Sequence, residues 1–310
     1  MAGKALGLPL LILLHLSAGT LSLMPLPVRR LKAWSWSMIL RSVGFRAKVV
    51  RRNLEIAFPG EVGRAKREEL FVEAYRHLGS LFLEIFLLFG FFRRIVRREV
   101  ELRGLENWRA AVAQGKGAFF LSSHVGNWEL MAAAGAREGI DLLLVTKLLK
   151  PGWLHEGIER ARLRCGVKGT YEPRTMRDVL AHLKRGGTVG FVLDQYAGAP
   201  VGVRVPFFGV PVGTHLALAT LVKRTGAPVV PVVNHRLPDG RLVVEIEPAL
   251  EWLPDDHPDR ELARNTAKYA EVIESHVRRY PGQWLWTHQR FKGDLSPLRP
   301  GEWESGRSRR

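Results

Sequence analysis

The sequence predicts an α/β fold, a mostly parallel sheet flanked by helices, with an N-terminal membrane-anchoring helix. Two observations carry this prediction. Beyond Glu101, short apolar runs alternate with helical stretches, the pattern of βαβ units around a parallel sheet. Before that point, no side chain from Ala5 to Val28 is charged, a run longer than the ~20 residues a spanning helix needs. Hydrophobic residues make up 46% of the 310, enough to bury a substantial core. The expected boundaries are an anchor over 1–30, a helical, basic membrane-proximal region over 31–100, an α/β domain over 101–295 and a basic tail over 296–310.

Three readings compete for the first apolar run. A cleaved signal peptide wants a charged start and a small-residue cleavage site; Lys4 alone, with Ala18-Gly19-Thr20, supplies these weakly. A buried core helix is the plainest reading, although Pro9, His15 and Pro25 weaken any regular helix there. A membrane anchor, spanning or deeply embedded, agrees best with the residues on its C-terminal side. These are Arg29, Arg30, Lys32, Arg41 and Arg46, with Trp34 and Trp36 among them and no acidic residue before Glu55. Indole rings favour the headgroup layer, and dense positive charge marks the cytoplasmic side. A second apolar stretch, Leu78 to Phe92, is interrupted only by Glu84 and followed by Arg93, Arg94, Arg97 and Arg98. It reads as a buried helix or as an interfacial one beneath that basic rim.

Strands are expected at 117–121, 142–145, 188–193 and 228–233, all continuous apolar runs, and at 241–247, where apolar and polar residues alternate. Helices lie between them. Met176, Val179, Leu180 and Leu183 recur at helical spacing before Gly186-Gly187. Thr214 is placed to cap a helix running to Gly226. Leu262, Thr266, Tyr269, Ile273 and Val277 mark another helix, stopped before Pro281.

The formal net charge is +17, with 47 Lys plus Arg against 30 Asp plus Glu. This excess points to an anionic partner: nucleic acid, anionic lipid or a phosphorylated substrate. A nucleic-acid module interleaves basic residues with exposed aromatics on a recognisable fold, whereas here the first cations flank an apolar run, so no nucleic acid is expected. Cys165 is the only cysteine; it makes no internal disulfide, which suits a reducing compartment.

The segment Ser122-Ser123-His124-Val125-Gly126-Asn127-Trp128-Glu129 follows an expected buried strand and opens a helix. Sites in open α/β sheets form at the carboxyl ends of strands, and His124 stands at such an end. Glu129, five residues on, can fold back to fix the imidazole tautomer and raise its basicity, the arrangement needed to strip a proton from a hydroxyl. A His–Glu hydrogen bond that merely stabilises a turn fits the spacing equally well. Zinc is disfavoured because no second histidine lies one helical turn away. Gly-X-Ser-X-Gly is absent, which argues against a serine hydrolase.

The block His124 to Glu129 resembles the His-x4-Asp/Glu motif of the lysophospholipid acyltransferase superfamily. It is most similar to the branch containing the late acyltransferases of bacterial lipid A biosynthesis. The likeness runs nearly the whole chain: Arg52-Asn53-Leu54 with Phe58-Pro59, Arg162-Leu163-Arg164, Asp194-Gln195, Val205-Pro206-Phe207-Phe208-Gly209 with Thr214, and the closing Trp286-Thr287-His288-Gln289-Arg290-Phe291-Lys292.

The resemblance implies an acyltransferase domain over 101–295, with His124 as general base and Glu129 orienting it. It further implies Arg162, or Arg164 if the register slips by two, gripping an anionic part of a substrate, and Asp194 supporting the site. Lys147 stands where the family pattern leads one to expect arginine, which keeps the charge but loses the bidentate fork. Backbone N–H groups around Gly126 and Asn127 are the expected oxyanion donors. Read without the resemblance, Arg162 and Arg164 are solvated helix residues, Asp194 caps a turn, Phe207 and Phe208 are core, and His288 packs with Trp284 and Trp286. The implied reaction moves a fatty acyl chain from acyl carrier protein to a lipid A precursor at the cytoplasmic face of the inner membrane, with no cofactor. Acyl transfer from acyl-CoA to another glycolipid or a lysophospholipid, such as a phosphatidylinositol mannoside, and a non-catalytic anionic-lipid binder are the alternatives.

Overall fold

The computed structural model describes residues 7–60 and 63–298; the tail expected over 296–310 therefore lies almost wholly outside the described residues. Five helices come first: α1 (Gly7–Leu23), α2 (Leu26–Ser42), α3 (Ala47–Ala57), α4 (Arg64–Leu87) and α5 (Phe92–Glu99). Strand and helix then alternate through β1 (Val100–Arg103), α6 (Leu105–Val112), β2 (Ala118–Ser122), α7 (Trp128–Arg137), β3 (Leu142–Val145), α8 (Gly152–Arg164), β4 (Val167–Thr170), α9 (Thr175–Lys184) and β5 (Thr188–Val192). A hairpin of β6 (Gly202–Phe207) and β7 (Val210–His215) precedes α10 (Ala217–Thr225), β8 (Val229–Arg236), β9 (Leu242–Ile246) and α11 (Pro258–Arg279).

Seven strands form one sheet in the order β1-β9-β8-β2-β5-β3-β4. Every pairing in it is parallel except β8 with β9. β2 sits between β5 and β8, and all five of its residues are buried, as expected of a parallel strand covered on both faces. The five expected strands form within three residues of their predicted ends. Strands β1, β4, β6 and β7 were not anticipated, being short or broken by Gly and Pro.

Two expectations are corrected, and between them one open choice falls to the buried helix. First, among the described residues no helix is long and apolar enough to cross a membrane. Pro25 separates α1 from α2. Its inner side docks on the body: Leu11 and Ala18 are buried, the Ser22 hydroxyl accepts the Phe91 N–H, and the His15 ring meets Phe89 edge-on. The stretch from Leu78 is a buried helix, the second half of α4, whose Leu78, Leu81, Leu83 and Leu87 are all in the core. α2 crosses it closely, because a side chain on Gly79 would collide with the Ala33 carbonyl. Second, Thr214 caps no helix. It lies in β7, and α10 begins three residues later without a side-chain cap.

Thr214 belongs instead to a lock around Arg290. This guanidinium is buried without a carboxylate. It donates to the Gln195 and Gly213 carbonyls at 3.0 Å and to the Thr214 hydroxyl at 2.7 Å, and it lies over the Phe207 ring. Burial pushes its pKa down to about 10, so it stays charged at neutral pH. The hairpin is thereby fastened beside the end of β5. Phe207 and Phe208 are core residues packed on Trp284, Phe291 and Phe58. At the other end of the chain, Asn53 donates to the Trp286 and His288 carbonyls at 2.8 and 2.7 Å.

Arg290→Ala leaves three buried acceptors without donors, so we expect a loss of ~3 kcal/mol or more of folding stability. A melting temperature in detergent equal to wild type would show that the lock is dispensable.

Candidate active site

The site is assembled by strand register. β2 and β5 run parallel with Ser122 opposite Val192. His124 and Asp194 each lie two residues past those partners and so emerge side by side at the carboxyl end of the sheet. The His124 Nδ1 is 2.7 Å from Asp194 Oδ1, and the His124 backbone N–H donates to Oδ2 at 2.7 Å. The Trp284 indole N–H donates to that same oxygen at 2.7 Å. Burial by itself would raise the Asp194 pKa, but the His124 charge and these hydrogen bonds outweigh it and hold the carboxyl well below the usual carboxylate range. An ionised Asp194 keeps the proton on Nδ1. Nε2 then carries the free lone pair, and it makes no hydrogen bond among the described residues.

Glu129 does not touch His124. Its carboxylate receives Arg162, Nε to Oε2 at 2.9 Å and Nη2 to Oε1 at 2.5 Å, while Arg162 Nη1 donates to Glu159 at 2.8 Å. The physical reason is the start of α7: Glu129 stands in its first turn and faces α8, whereas His124 precedes the turn and faces β5. Trp128 links the two groups, with its ring edge-on to His124 at 4.6 Å and its indole N–H 3.2 Å from Glu129.

Arg162, not Arg164, is the arginine that enters the site. It is buried with its bidentate edge occupied by Glu129, while Arg164 is exposed. Arg162 is thus engaged in an internal ion pair with Glu129 and Glu159. Lys147 is exposed in the loop after β3. It acts on His288, whose pKa burial pushes down to about 4, with the charges of His124, Arg46 and Lys147 adding to that effect.

Asn127 contacts no open space and is fully buried, which corrects its expected substrate role. Its side-chain oxygen caps α7 by accepting the Glu129 and Leu130 N–H groups, and its amide donates to Glu84 at 2.8 Å. The N–H groups expected as oxyanion donors are already engaged: Asn127 with the Asn234 side chain at 2.5 Å, Gly126 with the Gln283 carbonyl at 2.9 Å. Gly126 has φ +66, and a Cβ there would collide with Asn234, so glycine is obligatory.

Sequence reasoning missed Asn234, Trp284, Glu84 and the true place of His288, which stacks on His124 at 4.7 Å and 29° rather than packing only with tryptophans. A signal was present for one of them: Glu84 is the lone charged residue in an apolar run, and a buried polar group needs a partner.

The site is thus a carboxylate-paired histidine at the carboxyl end of a central strand in a mostly parallel sheet, with no Gly-X-Ser-X-Gly segment in the sequence. Comparison with known proteins makes this specific. The family described as bacterial lipid A biosynthesis acyltransferase matches residues 11–293, and the chain belongs to that family. It is similar to the lipid A biosynthesis lauroyltransferase of Escherichia coli, 30% identical over 275 residues and 87% of each chain. It is 29% identical to the E. coli lipid A biosynthesis palmitoleoyltransferase, over 80% of this chain and 79% of that one. The phosphatidylinositol mannoside acyltransferase of Mycobacterium tuberculosis is 25% identical over 83% of this chain and 80% of its own. The chain is thus an O-acyltransferase.

Because the folded pKa of Asp194 is depressed, its stabilisation is fully present above the unfolded value of ~3.9 and is lost as pH falls through the folded value. In denaturant titrations from about pH 6 to about pH 3, wild type should lose stability more steeply than Asp194→Asn, which starts ~1–3 kcal/mol lower at neutral pH. Parallel slopes would refute the ionised-carboxylate assignment.

Proposed function

We propose that the chain transfers a fatty acyl group from an acyl carrier protein thioester to a hydroxyl of a lipid A precursor, with His124 as general base and Asp194 as its orienting carboxylate. The observation that supports this most is the buried His124–Asp194 pair, whose geometry leaves Nε2 free for a proton. The acceptor hydroxyl gives its proton to Nε2 as its oxygen attacks the thioester carbonyl. Collapse forms the ester, breaks the carbon–sulfur bond and returns the proton from His124 to the departing thiol. Negative charge developing on the carbonyl oxygen lies near the N-terminus of α7, whose dipole favours it. The family carries the lipid A assignment, and the +17 charge suits both an acidic carrier protein and a phosphorylated acceptor.

Glu129 and Arg162 act as positioning residues in this reading. Their ion pair holds Trp128 against the His124 ring rather than gripping substrate. Association with the cytoplasmic face of the inner membrane is part of the proposal. It is supported by apolar residues that α1 and α2 leave exposed, among them Leu13, Leu16, Leu31, Trp34 and Ile39, beside the basic residues of α2. In this reading the two helices rest in the interface by their apolar faces.

One assay tests the chemistry. Purified protein receives acyl carrier protein or CoA thioesters with a lipid A precursor, a mannosylated phosphatidylinositol or lysophosphatidate. Preferred transfer to the first from the carrier protein is expected, and preference for lysophosphatidate with acyl-CoA would overturn the reading. His124→Ala should lose ~10²–10⁴ in turnover. Arg162→Ala should lower kcat with KM little changed; a raised KM alone would put that arginine on substrate.

High salt should leave the protein on membranes while detergent releases it, because screening weakens only the charge contribution. Quantitative release by salt refutes apolar embedding.

A further inference from the structure

A cavity of about 520 Å³ lies between α2, α4, the carboxyl end of β8 and the turn at 281–283. None of His124, Asp194, Glu129 or Arg162 lines it. Its wall is partly apolar, with Ala33, Leu83 and Leu87, and partly cationic, with Arg29, Arg30, Arg76, Arg236 and Arg279. Three of these arginines have carboxylate partners: Arg29 with Glu99, Arg236 with Glu84, and Arg279 with Glu247. Arg30 and Arg76 close no ion pair among the described residues and are exposed toward solvent, the charge of Arg30 also reaching Asp239. Glu73 also lines the cavity, and its carboxylate steers an anion away from its own side toward those two arginines.

His77 lines the same cavity and is 6% exposed, with its ring nitrogens closed off from the open space. The Gly126 backbone is placed to hydrogen-bond the ring. Burial, with the charge of Arg236 adding to it, pushes His77 down to about 3, so it is a neutral part of the wall and leaves the anion to the arginines.

The opening favours an amphiphile over a soluble ion. Trp34 lines it and is half exposed, and the same helix leaves Leu31 and Ile39 exposed. An acyl chain can rest on that surface while the headgroup enters.

We propose that this cavity binds the phosphate headgroup of an anionic glycerophospholipid, at a site separate from the acyl-transfer centre. The occupant bears on the catalytic turn from behind. Arg236 and Glu84 line the cavity, and Glu84 accepts the Asn127 amide that caps α7. Gln283, also lining it, accepts the Gly126 N–H through its carbonyl.

The test is calorimetric titration of the full chain with dihexanoylphosphatidate below its critical micelle concentration. The comparison arms are dihexanoylphosphatidylcholine, glycerol 3-phosphate and inorganic phosphate. Saturable binding of the phosphatidate, roughly tenfold or more tighter than of any other arm, is expected from charge-assisted contacts plus apolar burial. An Arg30→Ala, Arg76→Ala double variant should weaken it by roughly tenfold or more. Ser80→Phe, which fills the cavity without changing charge, should weaken it likewise, with circular dichroism verifying that each variant is folded. His124→Ala should bind as wild type, which keeps this result independent of the acyl-transfer reading. Equal affinity for inorganic phosphate or glycerol 3-phosphate would overturn the lipid assignment, and unchanged affinity in either cavity variant would overturn the site.

Discussion

The constraint on which this structure depends is the satisfaction of one buried carboxylate. Asp194 is almost wholly removed from water and is held ionised by three N–H donors, two from His124 and one from Trp284. An isolated carboxylate at that depth would be too costly to keep charged. Its donors come from the end of β2 and from the C-terminal segment, so three distant parts of the chain must close on one point. Arg290, further along the same C-terminal segment, fastens the hairpin beside it. Chemistry and folding therefore share a single polar centre.

Around that centre the protein separates two carboxylates, of which the motif spacing pairs only Glu129 with the histidine. Asp194 touches the imidazole, whereas Glu129 is turned toward Arg162 and meets His124 only through the Trp128 ring. This division has a physical logic. Two carboxylates on one imidazole would repel each other in a buried site, while an ion pair on the far side of Trp128 holds that ring in place without competing for the imidazole proton. The turn itself is rigid because its polar groups are engaged: Asn127 with α7 and Glu84, Asn234 with the backbone on either side of Gly126. A network in which each member has its partner specifies one geometry.

The same helix, α4, connects this turn to the outer helices. Glu84 reaches inward to Asn127, and its other partner, Arg236, faces the cavity beneath α2. Arg236, Glu84 and Asn127 thus form one hydrogen-bonded chain from the wall of that cavity to the cap of α7.

Much of this was legible in the sequence. Continuous apolar runs and helical periodicity located the parallel strands and the helices between them, because burial on both faces or on one stripe imposes those patterns. His124 was legible as a candidate site residue because it follows a buried strand and opens a helix. The motif pieces at Asn53, Gln195, Thr214 and Arg290 were legible as well, and they meet in space at the C-terminal segment. What the sequence did not contain was which strand lies beside β2. Only the pairing of β2 with β5 puts Asp194, rather than Glu129, against His124. How the N-terminal run packs was absent from its local pattern for a related reason: Pro25 splits it and α4 offers a docking surface. Local pattern therefore determined the elements and the histidine. Long-range register and packing decided its partner, since hydrogen bonding between strands far apart in the chain leaves no periodic trace in either one.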